Sequence, residues 1–490
     1  MPLEQRRILA KKTAEHIGEK VCLRGWINAR RDHGKIIFID IRDRSGLAQV
    51  VFSPTASEKV YKNAGKLRPE WVIEVIGHVK ERPKGMQNVK IESGSVEIEA
   101  EELKVFSKAK TPPFSIEGEG YEINEEKRMK YRYLDLRRER LRRNLTKRHQ
   151  VIQFIRQFLS KEDFIEVETP LLTKSTPEGA RDFLVPSRLQ PGKFYALPQS
   201  PQQFKQMLMV AGIERYFQIA RCLRDEDPRG DRQAEHTQLD IEISFVEQED
   251  ILNLIERLYI ELVKNIFPEK EIEKIPFPRL TYKEALEKYQ TDKPDLRRKK
   301  NNSNKLSFCF ITDFPMFEWH EKDKRWGAMH HPFTMPNFEG LTIEEGIKKM
   351  KKAPGEIKSF QYDLALNGYE IGGGSIRTTD LNLLTAVFEV LGHKAEEIKE
   401  KFKNYFEAFN YGVPPHGGIA SGLDRFLSIA LNEPNIREVI AFPKTGDNRD
   451  LMMGAPAEVD KEQLKELHLK LCDIQPHTTT GKKAVKKTSS

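Results

Sequence analysis

Carboxylates and arginines recur in three segments at spacings that would bring them to common points. In Gln238-Leu239-Asp240-Ile241-Glu242-Ile243-Ser244-Phe245 the apolar residues Leu239, Ile241, Ile243 and Phe245 alternate strictly with Gln238, Asp240, Glu242 and Ser244. A period of two puts each set on its own face of a strand. Alone, that pattern equally describes a solvated antiparallel face. Its context is more pointed. Arg221-Cys222-Leu223-Arg224-Asp225-Glu226 precedes it, then a charged loop, then Glu235-His236-Thr237. The layout is strand, long loop, strand, with Arg-x-Glu at the entry. A guanidinium such as Arg224 forks onto phosphate or carboxylate, and Glu226 can accept bonds from an amine.

The second segment, Tyr362-Asp363-Leu364-Ala365-Leu366-Asn367-Gly368-Tyr369-Glu370-Ile371-Gly372-Gly373-Gly374, places Asn-Gly between apolar runs, the strongest short hairpin signal. A two-residue turn predicts pairs Leu366–Tyr369, Ala365–Glu370 and Asp363–Gly372. Asp363 and Glu370 then become diagonal neighbours on one face, about 7–8 Å apart at the backbone. Two such carboxylates can share a Mg²⁺ that bridges nucleotide phosphates. The glycines let backbone approach a ligand closely, and Arg377 follows. The third segment, Pro414-Pro415-His416-Gly417-Gly418-Ile419-Ala420-Ser421-Gly422-Leu423-Asp424-Arg425-Phe426, runs from a small-residue strand into a helix. Arg425 in its first turn opposes the helix dipole, an arrangement suited to a bound anion at that end. No Gly-x-x-x-x-Gly-Lys-Ser/Thr and no dinucleotide fingerprint is present. His16-Ile17-Gly18-Glu19 precedes a β-rich segment and opens no βαβ unit, so it carries no nucleotide reading.

These segments need a scaffold. From 164 to about 451 strands alternate with helices. Upstream, Lys127–Arg148 holds eleven basic residues among twenty-two. Leu134, Leu141, Leu145, Ile152, Ile155 and Leu159 recur through and beyond it at helical spacing. The pattern is an amphipathic helix whose basic residues form, for the most part, a solvated face. Residues 21 to about 105 read as five short strands with polar turns and one helical stretch, a Greek-key barrel of the OB type. Such barrels bind single-stranded nucleic acid on a basic and aromatic face, which Arg30, Arg31, Lys35, Phe38, Arg42 and Arg44 can supply. A solvated charged rim would look the same. The chain thus divides into a barrel (1–108), a linker (109–140), an α+β domain (141–455) with a polar, basic connector at 292–307, and a C-terminal extension (456–490) ending in a basic tail.

The 490 residues suffice for about three domains of ~150 residues, with 38% hydrophobic and 32% charged residues and a net charge of +8. No apolar run approaches the ~20 residues of a membrane span, and no signal-peptide pattern opens the chain. A cytoplasmic location is expected. Cys22, Cys222, Cys309 and Cys472 lie too far apart for a Cys-x-x-Cys zinc site and read as reduced thiols. The basic balance favours a polyanionic partner.

In this order the three chemistry-bearing segments resemble the motifs of class II aminoacyl-tRNA synthetases. Motif 1 resembles the amphipathic helix plus Phe164-Ile165-Glu166-Val167-Glu168-Thr169-Pro170, motif 2 Arg224 through Asp240, and motif 3 Gly417 to Arg425. Further strings are similar to the aspartate branch in its bacterial form: Pro177-Glu178-Gly179-Ala180-Arg181-Asp182-Phe183, Gln199-Ser200-Pro201-Gln202, Asp313-Phe314-Pro315 and His330-His331-Pro332-Phe333-Thr334. The resemblance covers nearly the whole chain. It implies ATP-dependent activation of L-aspartate and transfer to tRNA(Asp), with the barrel holding the anticodon.

Carried onto matching positions, the resemblance implies that Glu178, Ser200, Gln202, Lys205, Arg224, Asp240, His330, His331 and Arg377 surround aspartate, Lys205 and Arg377 neutralising its side chain. ATP falls to Arg224, Asp225, Glu226, Gln233, His236, Glu370 and Gly422, Leu423, Asp424 and Arg425, and Mg²⁺ to Asp363 and Glu370. Arg224 and Arg425 would stabilise the transition state. Arg31, His33, Phe38, Gln49, Arg82 and Gly85 match anticodon contacts. His33 and Gly85 resemble relaxed enzymes that also charge tRNA(Asn), with a strictly tRNA(Asp)-specific enzyme, an asparagine-activating relative and an inactive tRNA-binding paralogue as rivals. The motif 1 helix implies a homodimer through its apolar stripe. Two features depart from the family: His236 replaces the usual adenine-stacking phenylalanine, and a domain of about a hundred residues normally inserted before Asp313 is missing.

Overall fold

The computed structural model describes residues 7–89, 91–175 and 180–472. The chain parts into two compact units, Met1–Ile123 and Asn124–Ser490. Glu178 and the basic tail lie outside the described residues.

In the first unit, β1 (Lys20–His33), β2 (Ile36–Arg42), β3 (Leu47–Phe52), β4 (Val72–Glu81) and β5 (Val96–Ser107) close into a barrel of order β1-β2-β3-β5-β4. Closure relies on β1, which pairs with β4 through its first half and β2 through its second, around an irregularity between Ile27 and Ala29. Val21, Leu23, Ile37, Ile39, Ile41, Val50, Ile73 and Val75 fill the interior from alternate positions. Helix α1 (Glu58–Ala64) follows β3, its Ser57 cap accepting from the Val60 N–H. The barrel is the OB type that the strand spacing predicts.

The second unit is built on an eight-stranded sheet. Its strands are β6 (Ile165–Glu166), β7 (Arg215–Leu223), β8 (Glu235–Ser244), β9 (Arg279–Thr281), β10 (Phe308–Thr312), β11 (Gln361–Leu366), β12 (Tyr369–Ile376) and β13 (His416–Gly422), in order β9-β10-β11-β12-β13-β8-β7-β6. The central strands pair antiparallel, while both edge pairings, β9–β10 and β6–β7, are parallel. Helices α2 (Glu125–Lys130), α3 (Arg132–Asp135), α4 (Glu139–Lys161), α5 (Gln202–Val210), α6 (Gln248–Ile266), α7 (Tyr282–Tyr289) and α8 (Leu423–Ala430) belong to this unit. Leu239, Ile241 and Ile243 of β8 share a core with Ile251, Ile255, Leu258 and Leu262 of α6 and with Val151, Ile155 and Leu159 of α4.

Three local expectations change. The apolar stripe of α4 packs inside its own subunit through Leu141, Val151, Ile155, Phe158 and Leu159. Leu134, Leu145 and Ile152 of the expected stripe are half-buried. The basic run around it is not mainly solvated: Arg128, Arg132, Arg138 and Arg140 are buried. Asp135 binds Arg128, Arg132 and Arg138 at 2.8–3.0 Å, and Glu438 binds Arg128 at 2.7 Å and Arg140 at 2.9 Å. Helices α2 and α3 are thus built into the second unit. Phe245 leaves the apolar face of β8 because its φ of 57° turns the chain just past the strand, and it is exposed.

Candidate active site

Strand β8 is covered on both faces, so its polar residues are the floor of a cavity. That cavity, of about 360 Å³, is lined by Gln238 and Asp240 of β8, Glu370 and Gly372–Gly374 of β12, and Gly422, Asp424 and Arg425 at the β13–α8 junction. Gln202 and Lys205 enter from α5, one turn apart on the same side. Ser200, Arg224, Glu226, Gln233, His236, His330, His331 and Arg377 complete the expected set.

At one end a buried quartet of charges organises the floor. The Lys205 ammonium donates to Asp240 Oδ1 at 2.8 Å and lies 3.1 Å from Glu242 Oε2. Arg377 grips Glu242 through Nε at 2.8 Å and Nη2 at 3.1 Å, and its Nη1 reaches Ser375 Oγ at 2.7 Å and His331 Nε2 at 3.0 Å. Burial raises the Glu242 carboxyl, but Arg377 and Lys205 overcome it and hold it down to about 2. Asp240 is held above its usual range by burial, despite Lys205. Burial and Arg377 keep His331 well below its usual value and hence neutral. Glu242 is the residue that sequence reasoning missed. Its signal was present in the polar face Gln238-Asp240-Glu242, but only the fold shows that Glu242 lies beneath Asp240 and pairs with both cations.

Counting donors shows what the quartet has left. Lysine offers three N–H groups and arginine five. After the contacts above, Lys205 retains one and Arg377 one, at the edge of the cavity. Asp240 Oδ2, Gln202 Nε2 and Gln238 Nε2 are buried without a protein partner. Buried polar groups are rarely left unpaired. This end therefore offers one anionic acceptor for an ammonium and several donors for carboxylates.

At the other end Arg425 donates through Nη1 to the Glu370 carbonyl and through Nη2 approaches Asp231 Oδ2 at 3.3 Å, while its buried Nε has no partner. His236 lies among cations. Burial first, then Arg224, Arg221 and Arg425, lower its pKa to about 3, so it presents a neutral ring. Arg224 is anchored by Nε to the Gln199 carbonyl at 3.2 Å, and Glu226 is held by Arg232 at 2.6 Å. The Gln233 amide is spent on the backbone of Lys444, donating at 2.6 Å and accepting at 3.2 Å.

The hairpin forms as predicted at its tip, with positive φ at Asn367 (51°) and Gly368 (91°) and pairs Leu366–Tyr369 and Ala365–Glu370. Beyond Glu370 the register slips by one, so Asp363 opposes Gly373 and not Gly372. Asp363 lies under the floor, accepting from Gln361 Nε2 at 2.9 Å and facing His330 Nε2 at 3.2 Å. His330 is raised because Asp363 outweighs its burial. Glu370 is raised by burial and by Asp363, and its carboxylate makes no hydrogen bond among the described residues. No cluster of three or more His, Cys, Asp or Glu able to hold a metal occurs among those residues. Asp363 and Glu370 are close enough for one charge to act on the other, and such a pair would suit a Mg²⁺ completed by phosphate oxygens and water.

Some expected residues fall outside the cavity lining. Asp225 forms an ion pair with Arg181, its Oδ2 lying 3.8 Å from Nε, and its carbonyl accepts from that Nε at 3.5 Å. The Leu423 side chain is in the core, which leaves only its backbone for a ligand. Asp424 lines the cavity but both its oxygens are engaged, by Arg148 and by the Thr237 N–H at 2.9 Å.

On the barrel, Arg31 pairs across the ladder with Phe38 on the outer face, bonded to Asp40 at 2.9 Å and Gln49 at 3.3 Å. Arg82 is buried, its Nε donating to the Val96 carbonyl at 2.9 Å and its Nη2 without partner. His33 is exposed at the end of β1. Gly85 has φ 82° with open space around it, so the turn itself calls for glycine.

Residues 124–446 match the model of class II tRNA synthetases (D, K and N), and residues 21–106 match an OB-fold nucleic acid binding domain. The chain belongs to the class II tRNA synthetases. A protein of Rubrobacter xylanophilus called aspartate–tRNA(Asp/Asn) ligase is 43% identical over 582 aligned positions, covering 94% of this chain and 96% of the relative. A Dictyoglomus turgidum protein of the same name is 42% identical over 581, with the same coverage. Solved structures share the fold: an asparaginyl-tRNA synthetase of Pyrococcus horikoshii with asparaginyl-adenylate (TM-score 0.72, 22% identity, 91% of this chain and 99% of that one) and a putative aspartyl-tRNA synthetase of Leishmania major (0.73, 19%, 90% and 94%). An alignment of 582 positions exceeds the whole 490-residue chain, so more than ninety positions of this synthetase's relative have no counterpart here. Where the inserted domain was expected, a short loop crosses from α7 to β10. Asn367 pins its end, accepting from the Ser307 N–H at 2.8 Å and donating to the Lys305 carbonyl at 3.0 Å.

Proposed function

We propose that the chain is an aspartate–tRNA ligase that activates L-aspartate with ATP and charges both tRNA(Asp) and tRNA(Asn). The observation that carries the amino acid is the donor count of the quartet. One leftover N–H from Lys205 and one from Arg377 suit the two oxygens of a side-chain carboxylate. An amide would set its own NH₂ against a donor and leave a buried group unpaired, the kind of mismatch that sites discriminate strongly. Asp240 Oδ2, unpaired and buried, takes the substrate ammonium, and Gln202 and Gln238 face its other polar atoms.

In the first step an oxygen of the aspartate α-carboxylate attacks the α-phosphorus of ATP, and the bond to the pyrophosphate oxygen breaks. This chemistry needs positioning and stabilisation of negative charge rather than a proton carrier. Arg224 and Arg425 provide cations on the phosphates, and the neutral ring of His236 offers a stacking surface for adenine. Asp363 and Glu370 would hold Mg²⁺, which neutralises phosphate charge when bound. In the second step a hydroxyl of the terminal ribose of tRNA attacks the activated carbonyl, and AMP leaves.

Relatives at 43% and 42% identity bear the name Asp/Asn, which supports relaxed charging, and the exposed His33 offers the third anticodon base only an adaptable contact. A homodimer is proposed through the surface around Pro170, where Leu171, Leu172 and Leu184 are half exposed. No helix among the described residues is long and apolar enough to cross a membrane, in keeping with the cytoplasmic location of tRNA charging.

The test has two arms. Pyrophosphate exchange into ATP should depend on aspartate and hardly respond to asparagine; equal responses would remove the carboxylate assignment. Both tRNAs should then accept aspartate, and His33→Leu should lower charging of tRNA(Asn) more than tRNA(Asp). Refusal of tRNA(Asn) by the native enzyme would leave a strictly aspartate-specific function.

A further inference from the structure

The basic connector that crosses from α7 to β10 has no part in the site described above. Residues 292–305 carry Lys293, Arg297, Arg298, Lys299, Lys300 and Lys305 against Asp292 and Asp295. Some of these charges hold the loop in shape. Arg297 folds onto Asp295 at 2.8 Å, and Lys305 pairs with Glu271. The other four are exposed. Lys293, Lys299 and Lys300 are exposed and form no ion pair among the described residues. Arg298, with 93% of its side chain exposed, approaches Glu273 only at 3.9 Å. Arg298, Lys299 and Lys300 thus form a run of exposed cations, with Glu273 the one acid near Arg298, and such a run raises the local potential.

Its place in the fold gives that potential a direction. The connector packs on the tip of the β11–β12 hairpin: a Cβ built at Gly368 would lie 3.5 Å from Asp295 Cβ and 4.0 Å from the Lys293 carbonyl. Two residues beyond Gly368 is Glu370, which lines the cavity. Lys293 is near enough to contribute to the field at Glu370, and Asp292 to that at His330. No connector residue lines the cavity, but the connector stands against the hairpin that carries Glu370 into it. The one macromolecular polyanion in the reaction must deliver its 3′ end into this cavity, and an RNA helix is far wider than the opening, so its phosphates pass over the rim.

We propose that Arg298, Lys299 and Lys300 bind the phosphate backbone of tRNA close to its 3′ end. This rests on the ligase reading and deepens it. Such contacts carry no sequence information; they position the nucleic acid and make its binding depend on salt.

The experiment uses the full chain with K299E/K300E, measured in two assays. Pyrophosphate exchange with aspartate, which needs no tRNA, keeps its rate. In aminoacylation the KM for tRNA rises about tenfold or more with kcat little changed. The slope of log(kcat/KM) against log salt becomes shallower by roughly 1.5, as expected for two lost phosphate contacts. The same charge reversal at Lys348 and Lys352, exposed on the helix Ile343–Lys352, serves as control. An unchanged KM and salt slope overturns the proposal, as does an equal effect from the control pair or a parallel loss of exchange. Failure of the native enzyme to charge any tRNA while exchange is normal would count against the ligase reading instead.

Discussion

Asp424 sits beside Arg425, yet its own carboxylate does not reach toward a ligand. One oxygen accepts from Arg148 of α4 and the other from the Thr237 N–H, one residue past His236. A single carboxylate thus ties the helix of motif 1, the strand of motif 2 and the helix of motif 3, and sets His236 opposite Arg425. Arg148→Met should leave the buried Asp424 carboxylate with only the Thr237 N–H, a loss of about 3 kcal/mol of stability, and should raise the KM for ATP with that for aspartate nearly unchanged. Arg148→Lys should restore most of the ATP affinity. Equal rises in both KM values, measured by pyrophosphate exchange, would reduce the tie to general support of the fold. The resemblance to the synthetase motifs was enough to single out Lys205, Arg377, Asp240 and Arg425, and the fold brings all four to one cavity. The pairing of Glu242 with both cations and the internal use of Asp424 were not legible, since they depend on which strands become neighbours.

Among elements, the Asn367-Gly368 turn was fully legible because local backbone preference decides it. The slip beyond Glu370 was not, since β12 must also match β13, whose register is set by Gly372–Ser421 and Gly374–Ile419. The glycines of this region also serve a different purpose from the one their run suggests. A Cβ on Gly374 would lie 2.1 Å from the Gly418 carbonyl, and one on Gly418 2.0 Å from the Ile241 carbonyl and 2.2 Å from Glu242 Oε2. Close strand packing requires glycine there, and at Gly418 the packing holds Glu242 under the two cations. Gly418→Ala should therefore destabilise the enzyme by about 1–3 kcal/mol and raise the KM for aspartate. Gly422→Ala, whose Cβ would meet nothing nearer than the Ile371 carbonyl at 3.8 Å, should fold with native stability. Indistinguishable melting temperatures for the two variants would refute the packing argument. The basic run of α4 misled for a related reason: its neutralising carboxylates, Glu433 and Glu438, lie nearly three hundred residues away.

For the whole molecule, building one site from so many buried charges makes stability depend on pH. His236 titrates near 3, and burial keeps His331 and His416 below the usual imidazole range. An unfolded histidine has a pKa near 6.5, so below that pH the unfolded chain binds protons that the folded chain refuses. Stability is then lost as pH falls, each refused proton costing up to about 2 kcal/mol by pH 5. His330, raised by Asp363, acts in the other window: its contribution is present below 6.5 and is lost as pH rises through its folded pKa. Asp240 and Glu370, both raised, take up protons in the folded state and offset part of the loss. Glu242 and Glu438, both lowered, add to acid destabilisation only below the ordinary carboxylate range. Between pH 6.5 and 5 histidines titrate in the unfolded chain and carboxyls hardly do, so refusal by His236, His331 and His416 sets the sign there, against proton uptake by Asp40, Asp240 and Glu370. The melting temperature should be highest near neutrality and fall steadily toward pH 5. His236→Phe removes one refused proton and keeps an aromatic ring at that position, so the variant's melting temperature should fall less steeply over that interval. Equal slopes for the two proteins would mean that His236 is protonated in the folded enzyme and that its surrounding arginines do not hold it neutral.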